Sequence, residues 1–338
     1  MKRRFFFSGF LQSVLGTSIL SALPSRSNAL EAKEILGLGE NKKSKALVRI
    51  GICTDVHQDT MHDGSRRIQA FVDEMNVLKP DFIIQVGDFC RPYDHNRPFM
   101  DIWNSFRGPS YHVLGNHDMD GGFSFEEVVD YWKAKGAYYS FDMNGYHFVV
   151  LNGNERRKDD KSRYPRYISE KQREWLRKDL NATKFPVVVF CHQALDVDVM
   201  SAIEEATLTR LVFERANEDA GFTKVQMVFS GHHHKDFYNV INKIHYVQIN
   251  SMSYYWMGDK YKRIRYSAEV DEKHPSIKMT APYEDPIWAF LTIYPGGVFD
   301  IAGKKTQFLK PSPKEMGMGE LERIYPVVPH ISSRKIKI

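Results

Sequence analysis

Apolar and polar positions alternate along this chain in blocks that predict strands and helices in turn. Leu47 to Cys53 is an almost unbroken apolar run, as expected of a strand buried on both faces. Ile68, Phe71, Val72, Met75 and Leu78 then recur at helical spacing, closed by Lys79-Pro80. Phe82 to Val86 is a second buried strand. Strand, helix, strand in this order is a crossover unit that favours parallel pairing. Ser110 to Leu114 predicts a third strand, and Ser124 with Glu127 forms a capping box ahead of Val128, Val129 and Trp132. Tyr138 to Met143 and Tyr146 to Leu151 flank Asn144-Gly145, a hairpin turn signal.

The second half continues the pattern. Ser169 to Leu180 predicts a helix with Trp175, Leu176 and Leu180 facing the core, and Glu155 to Tyr167 before it reads as a charged surface loop. Val187 to Phe190 and Val225 to Phe229 are buried strands around a helix from about Leu208 to Asn217. Phe237 to Ile241, Ile244 to Ile249, and Ile287 to Tyr294 turning at Pro295-Gly296-Gly297 into Val298 to Ile301, are hairpin-like. Lys260 to Asp285 reads as a long irregular insertion.

The amino terminus breaks the pattern. Lys2, Arg3 and Arg4 precede an apolar run from Phe5 to Leu23, with small residues Ser27-Asn28-Ala29 after it. That order predicts an export signal over residues 1–29, and Arg3-Arg4-Phe5-Phe6-Phe7 is similar to a twin-arginine address. The expected organisation is therefore signal 1–29, linker 30–46, folded domain 47–303 and a Pro-, Gly- and Lys-rich surface tail 304–338. Export places the mature protein in the periplasm or outside the cell, with no stable membrane span. The net charge of +5 falls to about +1 once the four basic residues of the signal are removed, which argues against a nucleic-acid partner. Cys53, Cys90 and Cys191 are too few for a disulfide framework and read as small buried strand-end residues.

Chemistry concentrates at the strand ends. Asp55 and His57, Asp88, Asn116 and His117, His192, and His232 and His234 each follow directly on an apolar run. In α/β sheets ligands bind beyond the carboxyl ends of strands, so these side chains can converge on one rim. Carboxylates, imidazoles and an amide suit borderline and hard divalent cations. On an extended segment the alternate residues of Asp55-Val56-His57 and His232-His233-His234 point the same way, and a carboxylate such as Asp88 can bridge two cations.

Asp55-x-His57, Gly87-Asp88, Gly115-Asn116-His117-Asp118, a lone His192 and Gly231-His232-x-His234 stand in the order seen in the calcineurin-like metallophosphoesterases, which this chain resembles, most closely the bacterial phosphodiesterases of the cyclic nucleotide and glycerophosphodiester type. The resemblance implies a four-layer α/β/β/α sandwich of two facing mixed sheets. It implies two divalent or mixed-valence metal ions, such as Mn, Fe, Zn or Mg. Asp55, His57, Asp88 and His234 would hold one, and Asp88, Asn116, His192 and His232 the other. A hydroxide bridging the two would attack phosphorus in line, with His117 protonating the departing oxygen and Asp118 orienting its ring. One departure stands out. Many relatives carry a second Asp or Asn shortly after the bridging Asp, whereas Phe89-Cys90-Arg91-Pro92 follows Asp88 here.

The expected activity is hydrolysis of a small phosphoester, a diester before a monoester. A phosphomonoesterase with the same ligand set and a non-catalytic metal-binding scaffold are the alternatives. His62, His95, His112 and His233 read as ordinary surface or core residues.

Overall fold

The structure is a computed structural model that describes residues 45–197, 201–318 and 325–338. The expected signal and most of the expected linker lie outside the described residues. The folded part begins with β1 (Val48–Cys53) and carries two six-stranded sheets.

The first sheet takes β1, β2 (Phe82–Gln85) and β3 (Ser110–His112) in parallel. It continues from β1 through β12 (Ala289–Tyr294), β13 (Val298–Gly303) and β14 (Arg334–Lys337), all antiparallel. The second runs β4 (Tyr139–Met143), β5 (Tyr146–Leu151), β6 (Val187–Cys191), β7 (Val225–Ser230), β9 (Ile244–Gln248), β8 (Phe237–Ile241). Its four central strands are parallel and its two edges antiparallel. Asn144 and Gly145 both take positive φ (50° and 82°) in the tight turn between β4 and β5, as the Asn-Gly pair requires.

The sheets pack face to face. Alternate residues Ile50, Ile52, Phe82 and Ile84 of the first sheet meet Phe148, Val150, Val188, Phe190 and Phe229 of the second in one buried cluster. Phe82 sits edge-on to Phe148 with ring centroids 5.1 Å apart. Truncating such a ring to Ala typically costs about 3–5 kcal/mol. The outer residues of the central strands are apolar as well. Val149, Val187 and Val189 meet α4 (Glu170–Ala182) and α5 (Ala206–Ala220) through Leu176, Leu180 and Phe213. Gly51 faces Met75 of α1 (Gly64–Leu78), which covers the first sheet together with α2 (Arg97–Asn104). The expected four layers are present.

Three expectations change. The tail expected to run over the surface from residue 304 ends as strand β14, with Ile331 and Ile336 buried in the inter-sheet core. Arg334-Lys335-Ile336-Lys337 offers a single apolar residue and two lysines, the composition of a protected edge strand, so its pattern is faint. The insertion expected to be irregular over 260–285 is built from short elements. These are 3-10 turns at Asp259–Tyr261 and Pro275–Met279, α6 (Ala268–Lys273), and β11 (Thr280–Pro282), paired with β10 (Tyr254–Trp256). Finally, the segment after Tyr93, where the pattern predicts no element, forms α2, with Phe99, Met100 and Trp103 burying one face behind Pro98. Among the described residues no helix is long and apolar enough to cross a membrane.

Candidate metal centre

Every candidate ligand sits where a strand releases the chain: Asp55 and His57 after β1, Asp88 after β2, Asn116 after β3, His192 after β6, and His232 and His234 after β7. Five of the seven, Asp55, His57, Asp88, His232 and His234, have φ between 50° and 66°. The extended geometry expected for the two His- and Asp-bearing triplets is therefore replaced by left-handed turns. Such conformations are uncommon for side-chain-bearing residues and cluster at sites the surroundings hold in place. Here the N–H of Asp55 donates to the Gly87 carbonyl and that of His57 to the Asp88 carbonyl, both at 2.9 Å. Ser251 and Ser253 donate through Oγ to the carbonyls of Asp55 and Val56 at 2.9 and 2.8 Å. Gly87, at φ 95°, lies so close to His192 that any Cβ would overlap the ring.

The side chains gather in two buried groups, Asp55 with His57 and His234, and Asp88 with His192 and His232. In the first, Asp55 Oδ1 is 3.1 Å from His234 Nε2. His234 Nε2 is in turn 3.2 Å from His57 Nε2. In the second, His192 Nε2 is 3.3 Å from both Asp88 Oδ2 and His232 Nδ1. The groups adjoin, with Asp55 Oδ1 4.0 Å from His192 Nε2. Asp88 Oδ2 is also 3.5 Å from His57 Nε2, so this carboxylate oxygen stands between them. Asn116 is buried beside Asp88, on the turn whose His117 N–H donates to Asp88 Oδ1 at 2.8 Å.

Proton placement tests whether these residues suit a cation. Nδ1 of His192 is 2.7 Å from the Val86 carbonyl and Nδ1 of His234 is 2.8 Å from the Tyr254 carbonyl. A carbonyl only accepts, so each Nδ1 carries a proton and Nε2 is the nitrogen turned inward, the atom that can ligate once it holds no second proton. His234 Nε2 faces Asp55 Oδ1 in this way. Asp55 Oδ1 and Asn116 Oδ1 are both buried without a hydrogen-bond partner among the described residues. A buried acceptor without a donor is costly, and a cation beside it would remove that cost. The donor set fits divalent metal.

The charges agree. Burial, reinforced by the neighbouring His234 and His117, outweighs Asp88 and brings His57 down to about 3. Burial with His192 and His233 pushes His232 well down. Both rings are thus neutral, the form that ligates. Burial opposes charge on His192, yet Asp88 and Asp55 raise it to about 9, and Asp88 itself is held well below the usual carboxylate range against its own burial by His192, His117 and His57. Metal and proton compete for one lone pair, so a cation between Asp88 and His192 would replace that proton.

One expected contact is not formed. Asp118 does not orient His117. Its carboxylate turns inward and accepts the N–H groups of Gly115, Asp88 and Phe89 at 2.8, 3.0 and 2.7 Å. The partner of His117 is Asp120, with Oδ2 at 2.8 Å from Nδ1. The cause is local. Asn116–Met119 is a 3-10 turn, and in that geometry residues three apart eclipse while the next residue points a third of a turn away. Tyr164 joins from the expected surface loop, its hydroxyl donating to Asp120 Oδ1 at 3.0 Å and lying 3.2 Å from His117 Nδ1. Arg91 and Arg163 reach the same carboxylate at 3.7 and 3.4 Å.

The over-burdened family pattern of Asp-x-His, Gly-Asp, Gly-Asn-His-Asp and Gly-His-x-His is thus assembled in space. The family model for calcineurin-like phosphoesterase matches residues 48–236, over half of the chain. The chain belongs to this family. It is a metallophosphoesterase, a hydrolase of phosphoric esters with a divalent-metal site. A dimetal phosphatase from Danio rerio is similar in structure at 12% identity, with a TM-score of 0.58, over 78% of this chain and 99% of that one. GAP50, the anchor in the inner membrane complex of Plasmodium, is similar at 16% identity, with a TM-score of 0.51, over 87% of this chain and 90% of that one. At such identities the likeness shows the fold alone. No curated protein matches the sequence.

Other residues of this phosphoesterase fall into place around the centre. The Tyr254 ring lies 5.0 Å from His57 and 4.8 Å from His234, packing both imidazoles. His112 is core, 3.2 Å from both Trp103 Nε1 and Gln85 Nε2. His95 is largely exposed, and His233 belongs to neither ligand group. The three cysteines are free and buried. Burial pushes the Cys191 thiol up to about 12, and with Asp55 it raises Cys53 far above the usual range, and neither stands in a ligand group.

Proposed function

We propose that this phosphoesterase hydrolyses phosphodiesters with two divalent cations, one in each of the two side-chain groups, and with Asp88 shared between them. The observation that carries the reading is the pair of imidazoles, His192 and His234, whose Nδ1 protons are committed to carbonyls so that both rings turn Nε2 toward buried carboxylate oxygens. Asp55, His57 and His234 would hold one cation, and Asn116, His192 and His232 the other. The cations supply positive charge against the phosphoryl oxygens and make water more acidic.

The protein's own groups do the rest. The oxygen of water forms the new bond to phosphorus while the bond to the leaving oxygen breaks, and the water's proton passes to bulk solvent, from which His117 is later reprotonated. His117 Nε2 donates a proton to the leaving oxygen. His117 suits that task because its side chain is partly exposed, and because Asp120 and Tyr164 engage Nδ1, leaving Nε2 to face the substrate. Burial opposes charge on this ring, but Asp88 and Asp120 outweigh it and raise its pKa. Asp120 is a positioning residue that fixes the ring and its tautomer.

The charge around the site favours a diester over a monoester. A monoester dianion gains more from side-chain cations than a diester monoanion does, and Arg91 and Arg163 both lean on Asp120. A panel of alkyl and aryl mono- and diesters with the metal-loaded enzyme tests the reading. Turnover of diesters at least tenfold above matched monoesters is expected; a preference for monoesters overturns the diester choice, and no turnover of either favours a metal-binding scaffold. The order of charged, apolar and small residues over 1–29 supports export before action, and cell fractionation showing the protein confined to the cytoplasm would contradict it.

A further inference from the structure

A second cavity of about 380 Å³ opens beside the metal centre. Asn116 and Asp120 form its edge toward the centre, so whatever fills it lies next to the groups that reach phosphorus. Phe123 and Phe125 line it from the segment after the 3-10 turn, and Tyr164 and Pro165 from the charged loop. Neither aromatic segment is consumed by the core, since Phe123, Phe125 and Tyr164 are all only half-buried. Volumes from about 300 Å³ upward are those of organic-ligand sites. A phosphoryl group held between the cations would not fill this one.

Its polar groups say what it does not take. Two arginines border the cavity, and both are already partnered. Arg156 donates to the carbonyls of Asp160 and Ser162 at 3.0 and 2.8 Å and lies 3.5 Å from the Asp160 carboxylate. Arg163 leans on Asp120 at 3.4 Å, with its guanidinium 5.0 Å above the Tyr164 ring. Glu126 adds negative charge at the rim. Among the described lining residues both arginines are already engaged, so an anionic occupant would meet the negative charge of Glu126 and Asp120 and have to draw an arginine away from its partner. Flat aromatic surface is what remains available, and offset or edge-on stacking on Phe and Tyr rings rewards a planar group.

We propose that this cavity is the leaving-group subsite, and that it selects phosphodiesters whose departing alcohol carries a flat aromatic or heteroaromatic system of one or two rings. The proposal rests on the diesterase reading above. It deepens that reading by naming the class of substrate. Geometry links the two roles of Tyr164, which touches the His117–Asp120 pair and lines the cavity.

The test compares three methyl phosphodiesters, with 2-naphthol, phenol and trifluoroethanol as leaving alcohols, on wild type, Phe123→Ala, Phe125→Ala and the volume-sparing Phe125→Leu. The naphthyl ester is expected to have the highest kcat/KM. Each Ala variant should lower that value about tenfold, chiefly through KM, and leave the trifluoroethyl ester within about twofold. Phe125→Leu should recover part of the loss. Equal losses on all three esters, or none, overturn the subsite while diester hydrolysis stands. Preference for a diester bearing a second phosphate on its leaving side overturns it too. Should wild type turn over no diester, the diesterase reading falls, and binding of 2-naphthol to the metal-loaded protein decides the cavity. Saturable binding weakened about tenfold in Phe125→Ala upholds an aromatic site, and its absence removes it.

Discussion

His117 Nδ1 and Asp120 Oδ2 are 2.8 Å apart, and the Tyr164 hydroxyl closes a triangle at 3.2 Å from the same nitrogen. This triangle makes a sharp distinction between leaving groups. With an alkyl leaving group, whose oxygen needs a proton to depart, Asp120→Asn should lower kcat about 10- to 100-fold. With p-nitrophenol, which departs without one, the loss should stay under about threefold. Equal losses on both esters would mean that Asp120 serves the fold and not the acid.

Asp118→Asn should behave differently. Its carboxylate receives three backbone N–H groups, and an amide can turn only one oxygen toward them. Loss of stability by about 1–3 kcal/mol is expected, read from urea midpoints, with no dependence on leaving group in the activity that survives. A leaving-group dependence like that of Asp120→Asn would return the orienting role to Asp118.

The strand ends were legible because buried parallel strands are written as apolar runs and each run stops at a polar ligand. Their positions, from Val48–Cys53 to Val225–Ser230, match the pattern within a residue or two. What the pattern hides is rotation. Asp118 and Asp120 look equally able to serve His117 in one dimension, and only the 3-10 turn decides between them. Tyr164 is unreadable for another reason, because it lies in a charged loop without periodicity. β14 is short, lysine-flanked and dependent on β13 for its pairing, so its single buried Ile336 carries no period.

Gly87 gives a third prediction. Its φ of 95° and the overlap of any Cβ with the His192 ring mean that Gly87→Ala strains the backbone and displaces a candidate ligand. Stability should fall by more than about 1 kcal/mol, and the chain should retain less metal than wild type after dialysis. Unchanged metal retention would show that His192 is not held by this packing.

His147 lies far along the chain from the ligands and offers a pH test of stability. Its Nδ1 is 2.6 Å from Asp142 and its Nε2 2.8 Å from Asp179. Burial lowers its pKa, but the two carboxylates outweigh burial and raise it. A group raised in the folded state contributes its stability in full below the unfolded value, about 6.5, and loses it as pH climbs through the folded value. His147→Gln should therefore destabilise more at pH 5.5 than at pH 9, in urea titrations of both proteins. A gap that widens with pH would contradict the sign.

The central claim is a binuclear centre in which Asp88 is shared. Metal content of the full chain, purified from metal-sufficient cells and measured by plasma mass spectrometry, tests it most directly. Two divalent ions per chain are expected, with loss of one in His192→Ala and retention of the other by Asp55, His57 and His234. Fewer than one ion per chain in the wild-type protein would contradict it.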